Sequence, residues 1–244
     1  MLDPRVYRAG WLPLLLAVVV VAFSLRAAPH GATSSLSAQV FDGRAAAGQV
    51  AAWAASPAFA DPRPGSAQDV ALGHDIARQL RRQGFRIRTV ARSGHTALGK
   101  RTLTTVLGQR PGISDSALVI AADRSSLTGA RADLTASAAL VELSRILGGR
   151  SLNKTLVLAS ISGGPGGAGT EVLAHELGVP VDAVLVLGAL GAGEDHRPWV
   201  VPFSDSSAFA PYGLRQTVAD AVRTEVGRAP GAPGALQQFG RLAF

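Results

Sequence analysis

Residues 162–170 read SGGPGGAGT, which places Gly164, Gly166 and Gly169 in the spacing G-x-G-x-x-G. Backbone amides of such a loop, where it opens a helix, can hold a pyrophosphate. An acidic residue about 20 positions on would then take the ribose hydroxyl, and Glu194 and Asp195 stand about 25 on. No Walker lysine follows, which excludes an ATP-type phosphate loop. Five glycines in residues 163–169 of a chain holding 28 also fit a plain tight strand-to-helix connection, so both readings stand. Asp195-His196 is the best metal-like pair, and with Asp123, Asp133 and Glu194 it makes one set that could hold a divalent cation. His30, His74 and His95 are isolated, and His175-Glu176 falls at a helix end, where capping is the ordinary role. Ser160 and Ser162 lack the G-x-S-x-G elbow of a serine hydrolase and read as surface or capping groups. The chain has no cysteine, so disulfides, thiolate zinc sites and cysteine nucleophiles are excluded.

These groups depend on the elements that carry them. Residues 40–59 read as a helix with Val50, Trp53 and Phe59 as its apolar members. The turn at residues 61–66 ends it, and Ser66 can cap a second helix over 67–83 that faces inward through Val70, Ala77 and Leu80. Residues 85–90 alternate as a half-buried edge strand, and 102–107 are a second candidate. The continuous apolar runs 117–122, 155–159 and 182–187 predict strands buried on both faces. Between them lie helices over 133–147 and 169–177, and a last helix spans 211–226. Strand alternating with helix predicts an α/β fold, a mainly parallel sheet with helices on both faces.

The order of these segments resembles the di-zinc aminopeptidase family, the aminopeptidase Y-like and transferrin-receptor-like zinc exopeptidases. The resemblance runs over roughly residues 63–191. It begins with the RPGS turn at 63–66, the Arg-rich helix and QGFRIRTV, and goes on through TTVL at 104–107 followed by RPG at 110–112. ALVIAADRSS at 117–126 is similar to the strand ending AHYDS, and GARADLTASAALVELSRIL at 129–147 is the most specific match. KTLVLASISGGPGG and VDAVLVLGALG resemble the next two strands.

The resemblance implies two zinc ions sharing a bridging aspartate, held further by two histidines, an aspartate and a glutamate, with a second glutamate as general base. Matched position by position, this chain departs from that set. The first histidine falls on Ala122, the aspartate two residues on falls on Arg124, and Asp123 is one place out of register. The bridging aspartate falls on Ala132, the glutamate pair on Gly164 and Pro165, and the later aspartate on Gly188, while the last histidine would lie past Phe244. Alanine, glycine and proline cannot hold divalent cations, so the resemblance implies a retained fold with no cofactor; zinc enters only if other ligands serve. Arg124 and Arg131 would repel a cation, with Asp123 and Asp133 available to pair with them.

Composition narrows the rest. With 244 residues, 47% hydrophobic and 17% charged, the chain can build one sizeable core and is not disordered. The net charge of +7 is nearly all arginine. Only Arg78, Arg81, Arg82, Arg86, Arg88 and Arg92 come close together, and aromatics make up 5%, which argues against nucleic acid. Residues 11–25 form an apolar run after Asp3, Arg5 and Arg8. As helix the run rises ~22 Å, and extending it to 10–28 with Arg26 snorkelling brings it near the ~30 Å of a bilayer core. No A-x-A cleavage pattern follows at 26–30. The expected organisation is a cytoplasmic segment 1–9, a signal-anchor transmembrane helix 10–28 in contact with lipid, a tether 29–39 and a domain 40–244 outside the cytoplasm, which the apolar stop at 241–244 suggests is incomplete. The expected function is a non-catalytic, single-pass membrane module that binds a peptide, an envelope component or a protein partner. The alternatives are a metal-dependent peptidase with relocated ligands and a nucleotide-binding domain using the 164–169 loop.

Overall fold

Asp42 opens the first helix of the computed structural model by accepting hydrogen bonds from the Arg44 and Ala45 amides. The structure describes residues 41–127, 134–164, 167–190, 198–200 and 212–231. The expected segments 1–9, 10–28 and 29–39 lie outside the described residues. Among the described residues no helix is long and apolar enough to cross a membrane.

Helix α1 (Gly43–Ala55) is shorter than the sequence suggests, and Phe59 lies beyond its end. Its one buried residue, Trp53, donates from Nε1 to Asp75 Oδ2 at 2.9 Å. Helix α2 (Ala67–Arg82) starts where predicted, with Ser66 Oγ accepting from the Asp69 amide at 3.1 Å. Its inner stripe is Leu72, Gly73, Ile76, Ala77 and Leu80, and Val70 is only half-buried.

Strands β1 (Arg86–Thr96) and β2 (Gly99–Arg110) are longer than the two predicted strands and form one antiparallel hairpin. Ala97 and Leu98 make a two-residue turn, and Gly99, paired with Thr96, follows at φ +89°, the left-handed region that glycine enters without a steric cost. Thr96 Oγ1 accepts from the Leu98 amide at 3.1 Å and braces the turn.

Strands β3 (Ser114–Asp123), β4 (Lys154–Ile161) and β5 (Val181–Leu187) complete a single sheet in the order β1-β2-β4-β3-β5. β3 pairs in parallel with β4 and β5, whereas β2 runs antiparallel to both β1 and β4. Four of the five strands therefore run the same way, and β2 alone is reversed, because a tight turn, not a crossover, joins it to β1. Helix α3 (Leu134–Leu147) joins α1 and α2 over one face, where Leu72, Ile76, Leu80, Leu134, Leu140 and Leu158 form the larger core. Helix α4 (Ala168–Glu176) covers the other, with Leu173 packed on Leu107, Val119 and Val157.

β5 corrects a second expectation. Its run DAVLVL reads as doubly buried, yet it stands at the edge with Val184, Leu185 and Val186 exposed. At the opposite edge, Glu176 at the end of α4 holds Arg88 at 2.6 Å and Arg92 at 2.8 Å. That anchoring replaces the capping role expected of His175-Glu176 and uses two of the clustered arginines. All of this forms one unit within residues 36–196. A second unit includes helix α5 (Tyr212–Val226) and a bridge between Trp199 and Gly231.

Candidate functional site

The parallel register of β3 and β4 sets Ala122 beside Ser160 and Asp123 beside Ile161, so the two strands end level. The carboxy ends of such strands are the usual ligand position in α/β sheets. Beyond them the chain runs through Arg124, Ser125 and Ser126 on one side and Ser162, Gly163 and Gly164 on the other. Successive residues of a strand point to opposite faces, and that rule divides this corner in two.

Arg124 turns under the α1–α3 face and is fully buried. Its Nε lies 2.8 Å from Asp69 Oδ1 and donates to the Asp69 carbonyl at 3.0 Å. Nη1 donates to the Ser160 carbonyl at 2.9 Å, and Nη2 to the carbonyl of Thr104. Asp69, equally buried in the first turn of α2, uses Oδ2 to accept from the Gly65 amide at 3.0 Å and the Ser162 hydroxyl at 2.6 Å. One guanidinium thereby ties α2, β2, β4 and the end of β3 together. Burial pulls its pKa below the usual value, and the carboxylates of Asp69 and Asp123 pull it back.

Asp123 turns the other way. Its Oδ1 accepts from the Ser125 amide at 3.0 Å and hydroxyl at 2.8 Å, and Ser125 Oγ in turn accepts from the Gly163 amide at 2.7 Å. Burial pushes its pKa from 3.8 up to about 6, against the lowering pull of the two Ser125 bonds and of Arg124. Oδ2 faces Gly164, where a Cβ would stand only 2.2 Å away. At Gly169 a Cβ would stand 2.1 Å from the Ser162 carbonyl. Both glycines are thus required by close packing, which supports the tight-connection reading of the loop. Gly169→Ala is expected to cost about 1–3 kcal/mol through overpacking, read as a lowered urea midpoint.

The structure redraws several sequence expectations. Asp123 does not pair with Arg124, because neighbours in a strand diverge; Asp69 takes that place. Ser160 and Ser162 are buried, not surface groups. His74, His95 and His175 are exposed on separate elements. Asp133, Gly166, Asp195 and His196 lie outside the described residues. Asp69 was missed: an acid in a helix's first turn reads as a dipole partner.

No protein-family model matches this chain, and no curated protein matches it. Solved structures do. Porphyromonas gingivalis glutaminyl cyclase superposes at TM-score 0.64 and 17% identity, over 80% of this chain and 77% of its own. Bacteroides thetaiotaomicron glutaminyl cyclase bound to N-acetylhistamine gives 0.62 and 14%, over 80% and 78%. A Bacteroides vulgatus protein assigned as a Zn-dependent exopeptidase gives 0.54 and 14%, over 67% of this chain and 66% of its own. At these identities the likeness establishes the fold alone, and that fold is the zinc-exopeptidase-like one the segment order implied.

Such a fold raises the question of zinc. A zinc centre needs three or four nitrogen, sulfur or oxygen donors. At this corner the described residues offer one uncommitted carboxylate oxygen, Asp123 Oδ2, since Asp69 is sealed by Arg124, Ser162 and Gly65. No group of three or more histidine or acidic side chains that could hold a metal occurs among the described residues. The described donor set does not fit zinc.

Proposed function

We propose that this chain is a non-catalytic binding or scaffold module built on a zinc-exopeptidase-like fold. One observation carries the reading: at the strand ends, an internal Arg124–Asp69 pair and a close-packed glycine, Gly164, stand where the family resemblance places metal-binding and catalytic acids. The surface beyond the strand ends takes a peptide or a protein of the cell envelope. Residues 10–28 hold the chain in the membrane with its folded part outside the cytoplasm; the apolar run and the two arginines before it support this placement.

Metal content tests the reading. The full chain, purified in zinc-containing buffer, is expected to carry far less than one zinc per chain by elemental analysis and to show neither aminopeptidase nor glutamine-cyclising turnover. The placement of Asp123 at the strand end favours one competitor, a metal-dependent peptidase using Asp123, Asp133, Asp195 and His196. Two zinc ions per chain, with turnover abolished by Asp133→Ala, would establish that competitor instead.

A further inference from the structure

Away from the strand ends, α1, α2 and α3 enclose a groove of about 210 Å³. Its polar lining is Gln49 from α1, Gln79, Arg82 and Gln83 at the end of α2, and Glu142 and Arg145 from α3; alanines and a valine supply the rest. The walls are braced. Trp53 and Gln79 both donate to Asp75 Oδ2, at 2.9 and 2.8 Å, and the Asp42 amide donates to Glu142 Oε1 at 3.0 Å.

The lining is unbalanced in hydrogen-bonding terms. Glu142, its one carboxylate, is buried and neutralised: Arg145 Nε lies 3.0 Å from each oxygen. That pair holds the Glu142 pKa below the usual carboxylate range. The side chains of Arg82, Gln49 and Gln83 make no hydrogen bond or ion pair among the described residues. The groove therefore presents one donor-only group, the planar guanidinium of Arg82, beside two carboxamides whose NH2 groups can turn to donate, with its one acid already satisfied. That set matches an oxyanion, to which guanidinium binds in two-point fashion. The volume is below the ~300 Å³ at which pockets begin to take whole drug-sized ligands, so the site suits the anionic end of a longer molecule.

We propose that this groove is a binding site for a terminal oxyanion, the carboxylate of a peptide C-terminus or a phosphoryl group, separate from the strand ends. Isothermal titration of the full chain in detergent micelles with N-acetylalanine, N-acetylalanine amide and inorganic phosphate tests it. N-acetylalanine binding in the millimolar range, with the amide at least ~10-fold weaker, identifies a carboxylate. Phosphate binding without N-acetylalanine binding identifies a phosphoryl group. In either case Arg82→Gln is expected to weaken binding ~10-fold or more, with an unchanged melting temperature because Arg82 is exposed. Failure of both anions to bind, equal binding of the amide, or wild-type affinity in Arg82→Gln overturns the proposal.

Discussion

Exchanging Arg124 for methionine is expected to destabilise the domain by about 3–5 kcal/mol, measured as a fall in urea midpoint with little change in slope. The loss comes from what remains behind. The Asp69 carboxylate stays sealed beside Ser162 without its counter-charge, and the carbonyls of Thr104 and Ser160 lose their donor. Arg124→Lys should not rescue it, because one ammonium cannot reach acceptors spread over α2, β2 and β4. Pairing Arg124→Met with Asp69→Leu is expected to recover only part of the loss: no uncompensated charge remains, but the Thr104 and Ser160 carbonyls, the Gly65 amide and the Ser162 hydroxyl stay without their partners. A cost below about 1 kcal/mol for the single exchange would show that the pair holds nothing together.

Asp123→Asn should act in the opposite direction. The folded chain binds the Asp123 proton more tightly than the unfolded chain does, with a pKa of about 6 against 3.8. The charged form therefore opposes folding, and stability attributable to this group declines as pH rises from about 4 to 6, then stays level. Each tenfold difference in proton affinity is worth about 1.4 kcal/mol, so at pH 7 the charge costs on the order of 2–3 kcal/mol. Asparagine keeps an Oδ1 acceptor for the two Ser125 donors and carries no charge. The variant is expected to gain up to that amount at pH 7 and nothing near pH 3.5. Equal gains at both pH values would mean the carboxylate is not destabilised by burial.

Much of the fold was legible because its signals are local. Ser66 ahead of an amphipathic stretch marks α2, and the runs ALVIAA and TLVLA mark the central parallel pair. The hairpin was not legible in full. Its strands continue through ARSGHT and GKRT, where glycines, a histidine and arginines resemble a loop, because hairpin strands at a sheet edge need little apolar content. β5 failed for the converse reason: composition shows that a strand is apolar, but not whether anything lies against it. At the candidate site, the absence of matching metal ligands could be read from residue types, whereas the Arg124–Asp69 pair could not. Its partners are 55 positions apart. What the sequence does contain is parity, since Asp123, the last residue of β3, and Arg124 just after it leave the strand end towards opposite faces.

The span of Arg124's bonds also bears on when they form. They reach across 20, 36 and 55 residues, to β2, β4 and α2, whereas the β1–β2 ladder grows outward from a single turn. Closing long loops before any reward is entropically slow, so the hairpin can form early while the guanidinium waits for three separate segments. An interaction completed after the transition state contributes little to the folding rate and most of its energy to the unfolding barrier. Arg124 is therefore expected to act as a kinetic latch, its loss raising the unfolding rate far more than it lowers the folding rate.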